Sequence, residues 1–422
     1  MKLGAKLIKI SQDVRASYWF IPSVMLFAGT VLSFVTQTLD RTVDGGWFLE
    51  LTGFARTRPD GSQAVLSTIA GSTIGVAGVV FSMTMVAVSF ASGTYGPRLI
   101  GNFMRDRGNQ LSLGIFISTF FYTLLILRSV RSSNENLGEG DYLEVFVPHV
   151  SLMTATGLAL VCLCALIYFI HHIPETINIE NIVSKLGRQL QKGIDDRAGG
   201  VSGIDAETSA DESNWSDQTD HQAACVVTSD QTGYVQALDV KQLDELSRQH
   251  DLRVRVTVRA GTFVVAGTEV MVAWAPKPLA DADLRTLQAS IAIGQARTPF
   301  QNVEFIIDQL GEIIARALSP GVNDPFTAIA CLNWLEAGTV HWLRHVPATE
   351  RNRYGARLSI SDLTFEEFLD AAYGRPFPYI ESDPNVRAHA VASLQRVLDL
   401  AHEDTRRPLT EATKERFATA GS

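Results

Sequence analysis

Three carboxylates recur at four-residue steps in the segment FQNVEFIIDQLGEIIARAL: Glu304, Asp308 and Glu312. On a helix this spacing stacks them on one face, and hard divalent cations favour such oxygen clusters. The same residues also suit a solvated face, with Glu312 paired to Arg316 one turn on, an arrangement of small energetic weight. Just downstream, SPGVNDPFTA sets Asp324 as an N-cap with Pro325 at the first helical position. Asn323 and Asp324 thus mark a helix N-terminus, whose exposed N–H groups favour an anion. A tight helix-to-helix turn accounts for the same residues.

The third arrangement is almost without side chains. In GSTIGVAGVVFS, Gly71, Gly75, Gly78 and Ser82 recur at steps of four, three and four, and Ser89 and Gly93 extend the stripe. Small faces of this kind let two helix backbones approach. Thr68, Ser72, Thr73 and Thr84 add hydroxyls along the same stretch, so the face also suits the lining of a permeation path. The two readings agree if identical subunits surround an axis.

No set of residues for catalysis, cofactor binding or metal ligation emerges. There is no phosphate-binding Gly-Lys loop, no dinucleotide fingerprint after a strand, no His-Glu-x-x-His and no Gly-x-Ser-x-Gly. The four cysteines show neither metal-ligand spacing nor a disulfide framework, and read as buried free thiols. The net charge of −9 and the lack of a basic stripe exclude a nucleic-acid binder.

The elements that position these residues divide the 422-residue chain unevenly. Four apolar runs fall at Tyr18–Thr36, Ala64–Ser92, Leu111–Leu127 and Val147–Ile170. Each approaches or exceeds the ~18 apolar residues that read as a bilayer-crossing helix, and only a helix satisfies its own backbone in hydrocarbon. None carries an Asp, Glu, Lys or Arg in its interior, which disfavours a proton- or ion-coupled pump. His149, His171 and His172 lie at the ends of the fourth run and read as interfacial. Lys2, Lys6, Lys9 and Arg15 precede the first run, and Arg98, Arg105 and Arg107 join the second to the third. Glu135, Glu139, Asp141 and Glu144 sit between the third and fourth. By the positive-inside rule both termini are cytoplasmic. The first run is expected to remain as an uncleaved signal-anchor.

The expected domains are a four-helix transmembrane region at 1–172, a helix at 173–197 continuing from the fourth span, and an acidic flexible linker at 198–222. A small β-barrel or sandwich follows at 223–276, where short β-branched runs alternate with Gly and turn residues. A helical region covers 277–422. The fold class is therefore an α-helical membrane bundle with a cytoplasmic α+β region.

Two stretches resemble a known family. LSTIAGSTIGVAGVVFSMTMVAVSFASGTYGPRLIGNFMRDRGNQLSLGIF with YFIHHIPETI, and later ARALSPGVNDPFTA, are similar to bacterial membrane proteins grouped as domain of unknown function 2254. The resemblance covers most of the chain. It implies a bacterial inner-membrane protein with four spans and a cytoplasmic C-terminal region, and it brings no residue roles.

The functional expectation is a homo-oligomeric channel or passive permeation pathway with a cytoplasmic assembly or gating region. The alternative is a non-transporting scaffold or sensor that anchors a cytoplasmic interaction domain. The expected partners are the lipid bilayer and other copies of the chain, with any cytoplasmic partner undefined. No cofactor is expected.

Overall fold

The computed structural model describes residues 17–42, 58–99, 103–104, 106–131, 146–199, 223–346, 352–354, 357–401 and 406–419. The basic N-terminal residues Lys2 to Arg15, Arg105, the acidic loop at 135–144 and the linker at 200–222 lie outside them. Contacts divide the chain into two units. One joins Val14–Gly93 to Pro97–Asn178, and the other holds Thr94–Gly96 and Ile179–Ser422.

The first unit is built from α1 (Phe20–Thr42), α2 (Pro59–Tyr95), α3 (Arg107–Leu127) and α4 (His149–Ile177). All four are long and apolar enough to cross a membrane. Their outward surface is strongly apolar: Phe27 and Ile167 are each 71% exposed. In water such a continuous surface would drive association, whereas lipid solvates it. At 37 residues α2 is about 55 Å long, well beyond the ~30 Å hydrocarbon core.

Packing inside this unit joins α1 to α3 and α4, and α3 to α4. The α1–α3 approach is close. A Cβ on Gly29 would stand 3.0 Å from the Ser118 carbonyl oxygen, and one on Gly114 would stand 2.5 Å from Met25 Sδ. The α2 helix joins this core through Leu66, Ala77 and Val80, which cluster with Leu113, Phe116, Tyr122, Ala155, Cys162 and Phe169 of α3 and α4.

The second unit opens with α5 (Ile179–Gly199). The sequence suggested a helix running on from Pro174, but α4 continues through Pro174 to Ile177. Asn178 then breaks the helix with extended torsions (φ −65°, ψ 125°) before α5 begins. The apolar side of α5 is buried at Ile182, Val183, Leu186, Leu190 and Ile194.

Next come β1 (Ala223–Thr228), β2 (Gly233–Leu238), α6 (Val240–Gln249), β3 (Arg253–Val256), β4 (Phe263–Val264) and β5 (Glu269–Ala275). They are followed by α7 (Asp281–Ala289), β6 (Ile291–Gly294), α8 (Val303–Ala317), α9 (Pro325–His345), β7 (Asn352–Tyr354) and β8 (Leu358–Ser361). The chain ends with α10 (Phe365–Leu369), a π turn at Asp370–Gly374, α11 (Phe377–Ile380), α12 (Pro384–Leu400) and α13 (Arg406–Thr419).

The strands form no closed barrel among the described residues. They make a five-stranded sheet in the order β1-β5-β3-β8-β7 and a three-stranded sheet in the order β4-β2-β6. Thus the β region expected at 223–276 draws β6, β7 and β8 from beyond its boundary. The pair β3–β8 is parallel, which demands a long crossover, here supplied by everything between Val256 and Leu358. One apolar core, including Val235, Leu243, Val254, Met271, Leu287, Ile291 and Leu358, serves both sheets and the helices α6 and α7.

The helical part centres on α9, which packs on α5, α8 and α12. The α5–α9 contact interlocks: Gly187 of α5 lies under the Trp334 ring, and Gly338 of α9 lies under Leu190. Buried Arg197 closes the end of α5. Its Nε donates to Asp362 at 3.0 Å, its Nη2 donates to the Leu363 carbonyl at 2.9 Å, and its guanidinium lies 4.2 Å from the centre of the Trp342 ring.

The α1–α3 contact gives a direct expectation. Gly114→Leu forces overpacking and lowers the stability of the first unit by about 1–3 kcal/mol. Gly75→Leu, on an open face, shifts monomer stability by no more than about 0.5 kcal/mol. Thermal unfolding of both variants in mild detergent measures the contrast; equal transitions would refute the packing account.

Candidate functional site

The small-residue stripe of α2 points away from the rest of its unit. The buried side of α2 is Leu66, Ala70, Thr73, Ala77, Val80, Thr84, Ala87 and Ala91, a repeat alternating steps of four and three. Gly71, Gly75, Gly78 and Ser82 follow the same steps on a face roughly 160° further round the helix, and Ser89 lies seven residues on, past Met85. All five are exposed. A Cβ added at Gly71, Gly75, Gly78 or Gly93 would meet nothing within 4 Å. Among the described residues, none therefore packs against these glycines, which leaves packing between subunits and a permeation path as readings of the stripe.

The hydroxyls divide. Thr68 is exposed and returns its hydroxyl to the Ala64 carbonyl at 2.8 Å. Thr84 is buried on the opposite side and donates to Val80 O at 2.8 Å, as Thr73 does to Ile69 O. Ser72 remains on the open side with Ser82 and Ser89.

Two polar clusters at the ends of the spans carry no signal in the run-by-run reading. At one end Asp40 of α1 accepts hydrogen bonds from Val150 N (2.8 Å), Ser151 N (3.0 Å) and Ser151 Oγ (2.6 Å). It caps α4 from a distance of 110 residues in sequence, where the N-cap position itself is Pro148 and has no side-chain hydrogen bond to offer. Beside it the buried Tyr122 hydroxyl lies 2.9 Å from Thr36 Oγ1 and donates to Ser151 O at 3.1 Å. At the N-terminus of α3, Asp106 accepts from Asn109 N at 3.1 Å, and His172 Nε2 stands 2.7 Å from the same oxygen. His172, expected to be interfacial and solvated, is thus half-withdrawn and paired, whereas His171 is exposed beside Glu175.

The carboxylate stripe in the second unit meets arginines. Glu304 and Asp308 lie on one face of α8, as the spacing predicts. Arg375 bridges them, reaching Glu304 and, at 2.7 Å, Asp308. Arg297 also pairs with Asp308, and Arg259 with Glu304 at 3.3 Å. Their lone pairs are thus directed at guanidinium groups, the positions a bound cation would take. Glu312 stands apart from this network, 3.6 Å from Arg316 in the anticipated one-turn pair.

At the helix start, Asp324 is the N-cap of α9 with Pro325 next. One carboxylate oxygen accepts from Thr327 N at 3.1 Å and the other from Thr327 Oγ1 at 2.6 Å. The negative charge that this helix end favours is supplied by its own side chain. Asn323 precedes it at φ 47°, a left-handed conformation that Asn tolerates.

The buried nucleophile-type groups of the second unit are made less reactive. Burial raises the pKa of the Cys331 thiol and pushes the Tyr373 hydroxyl up to about 12. The expectation of buried thiols holds for Cys162 and Cys331, while Cys164 is exposed and Cys225 partly so.

Arg259 also grips Glu367 of α10 at 2.8 Å. Burial pushes this carboxyl up, but the Thr364 backbone N–H and the Arg259 guanidinium outweigh that and hold it below the ordinary range. A lowered pKa stabilises the fold above the unfolded value, near 4.5, and the stabilisation is lost as pH falls through the folded value. Glu367→Gln keeps the capping box with Thr364 but removes the charge. It should flatten the acid limb of a stability–pH profile below about pH 4.5 and cost only a fraction of a kcal/mol at neutral pH, since the pair is partly solvated. Denaturant midpoints between pH 7 and pH 3 measure this; an unchanged acid limb would contradict the assignment.

Comparison with known proteins places this arrangement in context. A family model described as predicted membrane protein (DUF2254) matches residues 15–396. Uncharacterized proteins of Mycobacterium bovis and of Mycobacterium tuberculosis H37Rv are 30% identical over 333 residues, which cover 77% of this chain and 60% of theirs. The chain thus spans about three-fifths of the length of the curated relatives it matches. No solved structure matches.

Proposed function

This chain belongs to the DUF2254 family of predicted membrane proteins, and from that premise we propose that it is a homo-oligomeric membrane protein whose α2 helices face one another across a central axis. The oligomer forms a passive pathway for ions or a small solute, and the second unit assembles or gates it. The protein resides in a bacterial inner membrane with both termini in the cytoplasm.

The observation that carries this reading is the open face of Gly71, Gly75 and Gly78. Lipid gives no reward for burying glycine, because hydrocarbon tails are as apolar as the large side chains that a lipid-facing helix normally presents. Large residues do occupy the outward positions on either side of the stripe: Val79 and Val86 are 59% and 68% exposed on one side, and Ile74 and Phe81 are each 45% exposed on the other. A face held small between them suits a second backbone or a narrow lumen. The exposed Ser72, Ser82 and Ser89 hydroxyls find partners in water or protein and none in hydrocarbon. The absence of charge in the helix interiors fits passive passage better than coupled transport.

A scaffold without transport is the second reading. It draws on the turn between α8 and α9, where Phe326 is 80% exposed and Val322 49%, an apolar tip suited to a protein partner.

Disulfide trapping and flux separate the readings. In a chain freed of its native cysteines, Gly78→Cys is expected to crosslink within an oligomer in membranes. Liposomes carrying the purified chain are expected to pass ions or a small solute, with flux lost by at least about tenfold in Gly75→Leu, a penalty of ~1.4 kcal/mol or more. Crosslinking without flux selects the scaffold. Failure of Gly78→Cys to crosslink removes the oligomeric axis.

A further inference from the structure

Beyond the pathway reading, the contact between α5 and α9 brings together a set of side chains with metal-ligand chemistry. His341 and His345 lie one turn apart at the end of α9, so both imidazoles project from the same face. Their ring centres are 4.0 Å apart. Asp195, near the end of α5, reaches across with its Oδ1 2.6 Å from His341 Nε2. One donor atom from each of the three residues falls within 4.8 Å of the others.

We propose that Asp195, His341 and His345 bind a divalent transition-metal ion, with Zn2+ the ion that suits them best. The two imidazole nitrogens are borderline donors that favour zinc over the hard ions magnesium and calcium, and zinc also accepts the carboxylate oxygen. The hydrogen bonding prepares the ligands. His345 Nδ1 lies 2.9 Å from the His341 carbonyl oxygen. Donation there places the proton on Nδ1 and leaves the Nε2 lone pair outward, the outer-contact arrangement typical of ligating histidines. The short Asp195–His341 contact holds two donors on one proton, and the ion takes that proton's place.

Tetrahedral zinc holds its donors about 3.3 Å apart. The 2.6 Å pair opens slightly and the remaining donors close in. Asp195 and His345 are exposed and His341 is half-buried, so side-chain rotation achieves this without moving the interlocked backbones at Gly187 and Gly338. Three protein ligands leave a fourth position for water. A cavity of about 290 Å³ beside His341, lined by Gln191, Asn333, Glu336 and Arg344, gives access to it. The site joins α5 to α9, so bound metal would clamp the helix that follows the fourth span onto the centre of the second unit.

The test uses the full-length chain in detergent after stripping with a chelator. Zn2+ is titrated in competition with a chromophoric chelator, and Co2+ serves as a spectroscopic probe. Expected are one ion per chain, a rise in thermal transition with Zn2+, and a visible Co2+ spectrum without a thiolate charge-transfer band. His345→Ala and Asp195→Asn should each weaken binding by at least about tenfold. Their metal-free thermal transitions should match the parent, since both side chains are exposed, and this distinguishes ligand loss from misfolding. Binding far below one ion per chain, equal affinity in both variants, or a thiolate band assigning the ion to cysteine would overturn the proposal. None of these outcomes depends on whether liposomes pass solute.

Discussion

A helix leaves its first N–H groups without partners inside the helix, and the four-helix unit meets that constraint for α3 and α4 with two carboxylates. Asp40 closes the start of α4 and Asp106 the start of α3. Each does so with charge-assisted hydrogen bonds that also suit the positive end of the helix dipole. Because these bonds cross between helices, they tie α1 to α4 at one end and, through His172, α3 to α4 at the other. The unit can then leave its interior free of charge. Buried polar groups there, such as Tyr122 with Thr36 and Cys162 with Thr119, are neutral and paired. The charge-free runs in the sequence and the two anchored ends are one arrangement seen at two levels.

The same logic explains why glycine has different tasks along the chain. Gly29 and Gly114 let α1 and α3 meet at backbone distance, and Gly187 and Gly338 receive Trp334 and Leu190 where α5 meets α9. These four are spent on contacts within the chain. Gly71, Gly75 and Gly78 are not, although they form the most regular pattern of all. Helix α2 presents two parallel stripes, one buried against its neighbours and one bare, which share a four-three rhythm from Gly71 to Ser82. A helix with a single interface needs only one.

Local signals were legible in the sequence, and non-local ones were not. Length and apolarity revealed the four spans, because a bilayer imposes its rule run by run. The Asp324–Pro325 helix start was legible because capping is settled within four residues. The full strand set around the barrel or sandwich expected at 223–276 was not legible because strand pairing is non-local: the parallel partner of β3 lies at Leu358–Ser361, and nothing near Val254 announces it. The carboxylates of α8 showed the same limit. Their spacing was plain, but the arginine that bridges them comes from 67 and 71 residues away. Histidines 341 and 345 drew no reading from the sequence, where the histidines of this region look scattered. Asp195, 146 residues earlier, became their neighbour only once α5 had packed on α9.

These distances also bear on where function can reside. The charged groups of α8 are held by arginines, the buried Cys331 and Tyr373 are shifted away from reactivity, and the start of α9 is capped by its own aspartate. Each of these groups already has a partner or a buried place within the fold. What stays uncommitted is geometric on α2 and chemical at the end of α9: a bare backbone face in the membrane unit, and a pair of imidazoles with a carboxylate in the other. Packing among the described residues gives no reason to keep Gly71, Gly75, Gly78, Ser82 and Ser89 of a 37-residue helix small on its open side. Helix association in lipid depends on shape complementarity rather than on exclusion of water, so the bare face has value only against a surface of matching shape. In the oligomer proposed above, another α2 supplies such a surface.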